Sequence, residues 1–209
     1  MRLSTPTRDN APALPVTARA LGESLLAGDA MFQRIASGAR PALVAAALSE
    51  GRTCAESLGA DFGTDPWTIA RRLGVAVVES DAVAGFGSVV VFAEYAGRPP
   101  TITLYRRAIE RANLAVAAAR QRGIVDREDY GPVFLAHELY HHLARTASPP
   151  PFSRSYRVKV VQLGRWRWTS RVASLEEIAA GAFAQALLGL RFHPRLIELI
   201  SVQQDGGEQ

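Results

Sequence analysis

Five residues in a row carry the chemistry of this chain: His137-Glu138-Leu139-Tyr140-His141, the pattern HExxH. On an α-helix, residues four apart stand one turn above each other on the same face. Both imidazoles then reach one divalent cation, at ~2.0–2.1 Å for zinc. Glu138 points a little further around the helix, where it contacts a water instead of the metal. The metal brings the pKa of that water down towards ~7, and the carboxylate takes its proton as general base. A zinc-dependent peptidase requires this arrangement.

A catalytic zinc needs a third protein ligand and an open position. The candidates are Glu176 and Glu177, at the start of a helix that continues mainly with small or apolar residues (Ala179, Ala180, Ala182, Phe183, Ala184). Small residues let two helices approach closely, which a shared metal demands. The two glutamates differ by ~100° in direction, so one of them faces the metal. Glu177 shares a face with Gly181, Ala184 and Leu188, and Glu176 with Ala180, Phe183 and Leu187; periodicity does not choose. Paired glutamates at a helix start also favour the macrodipole, which is reason enough for the other one. His142 points ~100° away from His141 and is expected to be structural, bonded to backbone. His193, before Pro194, is expected to cap the start of the last helix.

The elements that must position these residues are legible along the chain. Helical spacing runs from Thr17 to about Leu58, broken into two helices by Gly38 and Pro41. Asp65-Pro66 starts a short helix that ends at Leu73-Gly74. Val75 to Glu79, Ser88 to Tyr95 and Thr101 to Tyr105 read as strands. Arg106 to Arg122 is a helix closed by Gly123. Residues 131–145 form the HExxH helix, with Pro132 in its first turn. Tyr156 to Gln162 and Arg165 to Ser170 pair as a hairpin turning at Leu163-Gly164, and Ser174 to Leu190 and Pro194 to Val202 are the final helices. The class is α+β, with a small, mostly antiparallel sheet.

The 209 residues make one domain of ordinary size, read as residues 17–202 between flexible tails at 1–16 and 203–209. Hydrophobic residues are 48% and charged residues 21%, which excludes a disordered chain, a collagen-like fibre and a disulfide scaffold. No apolar run reaches a membrane span, and the polar, Pro-rich start lacks the core of a signal peptide. The single cysteine, Cys54, forms no internal bridge and reads as a small buried residue in a reducing cytoplasm. Net charge is +4, but Arg154 to Arg171 alone carries +6 and no acid, so the rest is −2. The basic balance is therefore one local patch, and direct nucleic-acid binding is not expected.

The quoted motifs resemble the ImmA/IrrE-type metallopeptidases, a gluzincin-like family of bacterial and phage regulators. The resemblance covers roughly residues 60–190. It rests on Trp67 to Val75, on Phe134 to Leu143 around HExxH, and on Glu177 to Leu188. It implies a zincin-like core with zinc held by His137, His141 and Glu177, and with Glu138 as catalytic base. The family has an Asn four residues after its third ligand, where this chain has Gly181, and Gly189-Leu190 stands where the family has Met-Pro. The supporting hydrogen bond of that Asn would be missing here. Family members often act on a helix-turn-helix repressor, so the resemblance implies a protein substrate such as a repressor or antitoxin. A catalytically weak relative that acts by sequestering its partner is the alternative.

Two further features bear on that partner. Alternation in Arg165-Trp166-Arg167-Trp168 sends the Trp residues to one face of the hairpin and the Arg residues to the other. Either the Trp face covers the core and the Arg face is simply solvated, or the hairpin overhangs the cleft and selects an acidic partner segment or touches DNA phosphates. Tyr130, Tyr140 and Tyr156 are the candidates for stabilising an oxyanion, with core packing as the expected role of each. The substrate is expected to lie along an edge strand, Ser88 to Tyr95 or Thr101 to Tyr105, by strand addition.

Overall fold

The computed structural model describes residues 17–86, 89–121, 123–125 and 127–205. The expected tail at 1–16 lies outside them. α1 (Ala18–Ala27) starts where the Thr17 hydroxyl accepts the Ala20 amide. Two 3-10 turns, Phe32–Arg34 and Ser37–Ala39, then lead into α2 (Arg40–Phe62). The break around Gly38 and Pro41 is therefore real, and the apolar residues near Phe32 belong to the turns. α3 (Pro66–Arg72) is capped by Asp65, whose carboxylate accepts the Thr68 amide at 2.9 Å, and it ends before Gly74 at φ +68°.

β1 (Ala76–Ser80), β2 (Gly85–Phe86), β3 (Val89–Val90), β4 (Ala93–Gly97) and β5 (Pro100–Tyr105) follow. The single strand expected from Ser88 to Tyr95 is thus split into β3 and β4, and Ser88 lies outside the described residues. The three-stranded sheet has the order β1-β5-β4, with β1 parallel and β4 antiparallel to β5. This corrects one expectation: Thr101 to Tyr105 is the central strand, so it offers no free edge, whereas β4 has no second partner strand among the described residues.

α4 (Arg106–Ala115) and α5 (Ala117–Gln121) replace the one helix expected there, with the break at the buried Val116. α6 (Gly131–Thr146) carries HExxH, and the one-turn α7 (Phe152–Ser155) leads into β6 (Arg157–Leu163) and β7 (Trp166–Arg171). α8 (Ser174–Leu187) and α9 (Arg195–Asp205) close the fold, so residues 203–205 are helical where a tail was expected.

The class is α+β. In the layering, α6 lies on β4 and β5, α8 packs between α6 and α2, and α1 leans on α2 and α8. The core is one cluster centred on Leu135, Leu139, Leu175, Ile178 and Phe183, all fully buried. At the α2–α8 crossing the backbones nearly touch: a Cβ on Gly51 would sit 2.0 Å from the Ala179 carbonyl oxygen. Only glycine admits that approach, and it fixes the height of α8 against its neighbours. Cys54, on the same helix, is half-buried, and burial aided by the Glu50 charge pushes its thiol up to about 11. No helix among the described residues is long and apolar enough to cross a membrane.

Candidate metal centre

α6 is buried on almost every side, through Val133, Phe134, Leu135, Ala136, Leu139, Tyr140 and His142. His137, Glu138 and His141 form the strip left partly open, one turn long, facing α8. These three could hold a metal ion: their ligand atoms all lie within 4.8 Å of one another. Glu177 joins them from α8. His137 Nε2 stands 3.1 Å from Glu177 Oε2 and 3.3 Å from His141 Nε2, and His141 Nε2 stands 3.4 Å from Glu177 Oε1. Donors around a tetrahedral zinc with bonds of ~2.0–2.1 Å lie about 3.3–3.4 Å apart. The donor set and its spacing therefore fit such an ion. Glu177 is 48% exposed, so the cluster opens to solvent on its side.

Glu176 does a different job. Its side chain is only 7% exposed and stands behind His141, with Oε1 3.0 Å from Nδ1. Arg154 Nη1 donates to it at 3.1 Å and Arg171 donates to Oε2. Burial alone would raise its pKa, but His141 and the two guanidiniums overcome that and bring it to about 2. An ionised carboxylate only accepts, so Nδ1 of His141 carries the proton and Nε2 is the nitrogen turned to the cluster. Such a carboxylate behind a ligating histidine fixes the tautomer and the ring plane. Acidity follows the same network. Burial pulls His141 down, yet Glu176 and Glu177 raise it to about 10; His137 is raised against its burial by Glu177. Glu138 is held above the usual carboxylate range by burial, partly offset by the two histidines. That is the direction a general base needs.

α8 is aimed from a distance. Asp29, in the loop after α1, accepts the Ser174 amide at 2.8 Å and so caps a helix that has no side-chain cap of its own. On the far side of α6, the Tyr140 hydroxyl donates to Glu50 Oε1 at 2.6 Å and lies 2.9 Å from Ser153 Oγ. That ties α6 to α2 and α7. Tyr130 is fully buried with its hydroxyl on the Arg127 carbonyl, so Tyr130 and Tyr140 are both core residues, as expected. Tyr156 packs on Phe152. His142 is buried, but its partner is a side chain, not the backbone: Nδ1 lies 2.9 Å from the Tyr95 hydroxyl of β4. The chain matches no family model, no curated protein and no solved structure.

His193 is the residue that linear reading undervalued. It does cap, since Nδ1 accepts the Arg195 amide at 3.3 Å. Its ring, 1% exposed, also lies in the notch left by Gly181: a Cβ there would come within 2.3 Å of Cε1 and 2.5 Å of Nε2. Burial, with the nearby charge of His137, lowers its pKa to about 4, so the ring is neutral. The position where the resemblance implied a missing side chain is thus filled by a residue just before α9. The sequence signal was present only as a pair, a glycine on the Glu177 face of α8 and a histidine before α9.

Proposed function

We propose that this chain is a zinc-dependent metallopeptidase of the ImmA/IrrE type, hydrolysing a peptide bond in a protein partner such as a repressor or antitoxin. The observation that carries this reading is the convergence of His137 Nε2, His141 Nε2 and the Glu177 carboxylate at tetrahedral spacing, with Glu138 beside them. His137, His141 and Glu177 would hold the zinc, which supplies Lewis acidity for the water and the carbonyl when bound. The rest belongs to the protein. Glu138, raised by burial, accepts the proton of the attacking water as its oxygen bonds to the carbonyl carbon. As the C–N bond breaks, the same carboxyl returns the proton to the leaving amine. Glu176 keeps His141 in one tautomer throughout. β4 has a strand on one side only among the described residues and packs on α6, so an extended substrate would pair along its open edge.

A second reading, a partner-binding regulator with little turnover, is favoured by the exposed tryptophans of the β6–β7 hairpin. Glu138→Gln separates the two. Wild type and variant are reconstituted with zinc, assayed for metal by elemental analysis, and incubated with a proteome-derived peptide library read by mass spectrometry. The peptidase reading expects about one zinc per chain in both, with cleavage only in the wild type. One zinc in the wild type and no cleavage would leave the binding reading. No zinc, or zinc undiminished in His137→Ala and Glu177→Ala, would remove the metal site itself.

A further inference from the structure

The hairpin of β6 and β7 has features that the metal cluster does not use. An irregularity between Lys159 and Val161 resets the alternation, so Val161 pairs with Trp168 while Lys159 pairs with Thr169. The result is a two-faced arm. Trp166, Trp168 and Val161 share one face; Arg157, Lys159 and Arg171 share the other. The apolar face does not cover the core: Trp166 is 77% exposed, Trp168 74% and Val161 52%. Among the described residues, its root is anchored at the buried Val158. Two neighbouring indoles standing in water are an unfilled contact surface, since tryptophan is enriched where proteins bind. The solvated-hairpin expectation therefore fails on its Trp side.

Charge and backbone say what kind of occupant suits this surface. From Arg154 to Arg171 the chain holds six cations and no acid. Arg154 and Arg171 are engaged by Glu176, and Arg157 and Lys159 stand exposed along the arm. β7 pairs with no strand but β6 among the described residues, so its outer row of N–H and C=O groups awaits a partner. A nucleic acid would answer the cations and stack on the indoles, but it offers no ladder of peptide groups to β7. An extended acidic polypeptide answers all three.

We propose that β6–β7 is a docking arm for an acidic, extended segment of the partner protein, added as a strand along β7. Acidic side chains of the segment fall on the sheet face that carries Arg157, Lys159 and Arg171, and the alternate apolar ones fall on the face that carries Trp166, Trp168 and Val161. Selectivity is then for alternating acidic and apolar residues. The arm ends in Arg171, which binds Glu176, the carboxylate behind His141, so the root of the arm is linked to the metal cluster through two contacts, Arg171–Glu176 and Glu176–His141. The proposal rests on the peptidase reading only in taking that segment for part of the substrate.

The test is selection of a random decapeptide display library on full-length, zinc-reconstituted Glu138→Gln protein. The same selection is run with Trp166→Ser/Trp168→Ser and with Arg157→Glu/Lys159→Glu added. Enriched peptides should alternate Asp or Glu with apolar residues, and their binding should fall at least tenfold in both arm variants and weaken with salt. Zinc content and circular dichroism should stay those of the parent. No enrichment, enrichment of uncharged or basic peptides, or equal binding by the arm variants overturns the proposal. So does Trp-dependent binding of a dT20 oligonucleotide without peptide binding, or a dimer in solution that the Trp variant abolishes. Peptide binding through the arm, with no cleavage by the protein carrying Glu138, would sink the peptidase reading and leave the arm intact.

Discussion

Glu176→Gln probes the division of labour between two adjacent glutamates, and its cost can be worked from their surroundings. The Glu176 side chain is 7% exposed and neutralises Arg154 and Arg171, which are 27% and 32% exposed. Removing one partner of a buried ion pair costs about 3–5 kcal/mol. The guanidiniums retain some water, which places the expected loss near the lower end, about 3 kcal/mol. For a chain of this length that lowers the melting temperature of the metal-free protein by roughly 6–12 °C. Gln still offers an oxygen to His141, so the ring keeps a weakened support and zinc affinity should fall about 10–100-fold, as for partners behind metal ligands generally. Glu177→Gln should behave in the opposite way. That side chain is 48% exposed and stands 3.1 and 3.4 Å from the two Nε2 atoms. Its loss should reduce zinc affinity by more than the hundredfold bound while moving the metal-free melting temperature less than Glu176→Gln does. Scanning calorimetry on metal-free protein and competition with a chromophoric zinc chelator give both numbers. If Glu176→Gln strips the zinc and Glu177→Gln keeps it, the two roles are exchanged and the assignment fails.

Two other outcomes are expected. Gly181→Ala pushes a methyl into the His193 ring, which is too buried to swing away, at a cost of about 1–3 kcal/mol. Combined with His193→Ala, the two losses should sum to less than their parts by at least about 1 kcal/mol in denaturant titrations, and strict additivity would mean that the ring does not sit in the notch. On pH, the sign follows from the direction of each shift. His141 is raised by Glu176 and Glu177 from 6.5 to about 10, so its charged ring stabilises the metal-free fold fully below 6.5 and loses that contribution as pH rises through about 10. Glu176, brought from 4.5 to about 2, adds stability above 4.5 that is lost as pH falls through about 2. Zinc requires the neutral ring, so its affinity should rise with pH, and binding at pH 7.5 should release about one proton or more. Titration calorimetry in two buffers of different ionisation enthalpy measures that release, and a value of zero would contradict the raised histidine.

What the chain revealed as a sequence, and what it hid, divides along the range of the forces involved. HExxH on a helix is a local fact: a four-residue spacing and a Pro at the first turn suffice, and α6 spans Gly131–Thr146 accordingly. The choice between Glu176 and Glu177 is not local. They lie ~100° apart on one helix, and which of them meets His137 depends on how α8 is rotated. That rotation is set by Gly51 seated on the Ala179 carbonyl and by Asp29 capping Ser174, contacts that span more than a hundred positions. Strand alternation in the same way assigned Trp166 and Trp168 to one face, but whether a face is covered depends on a second element arriving, and among the described residues none does. Gly181 is the sharpest case. Read along the chain it is a lost side chain on the ligand helix; in the fold it is the space that a neutral, buried His193 occupies beside the cluster. One glycine thus reads as a defect or as a seat depending on a residue twelve positions away, and no window of helical periodicity on α8 contains that residue.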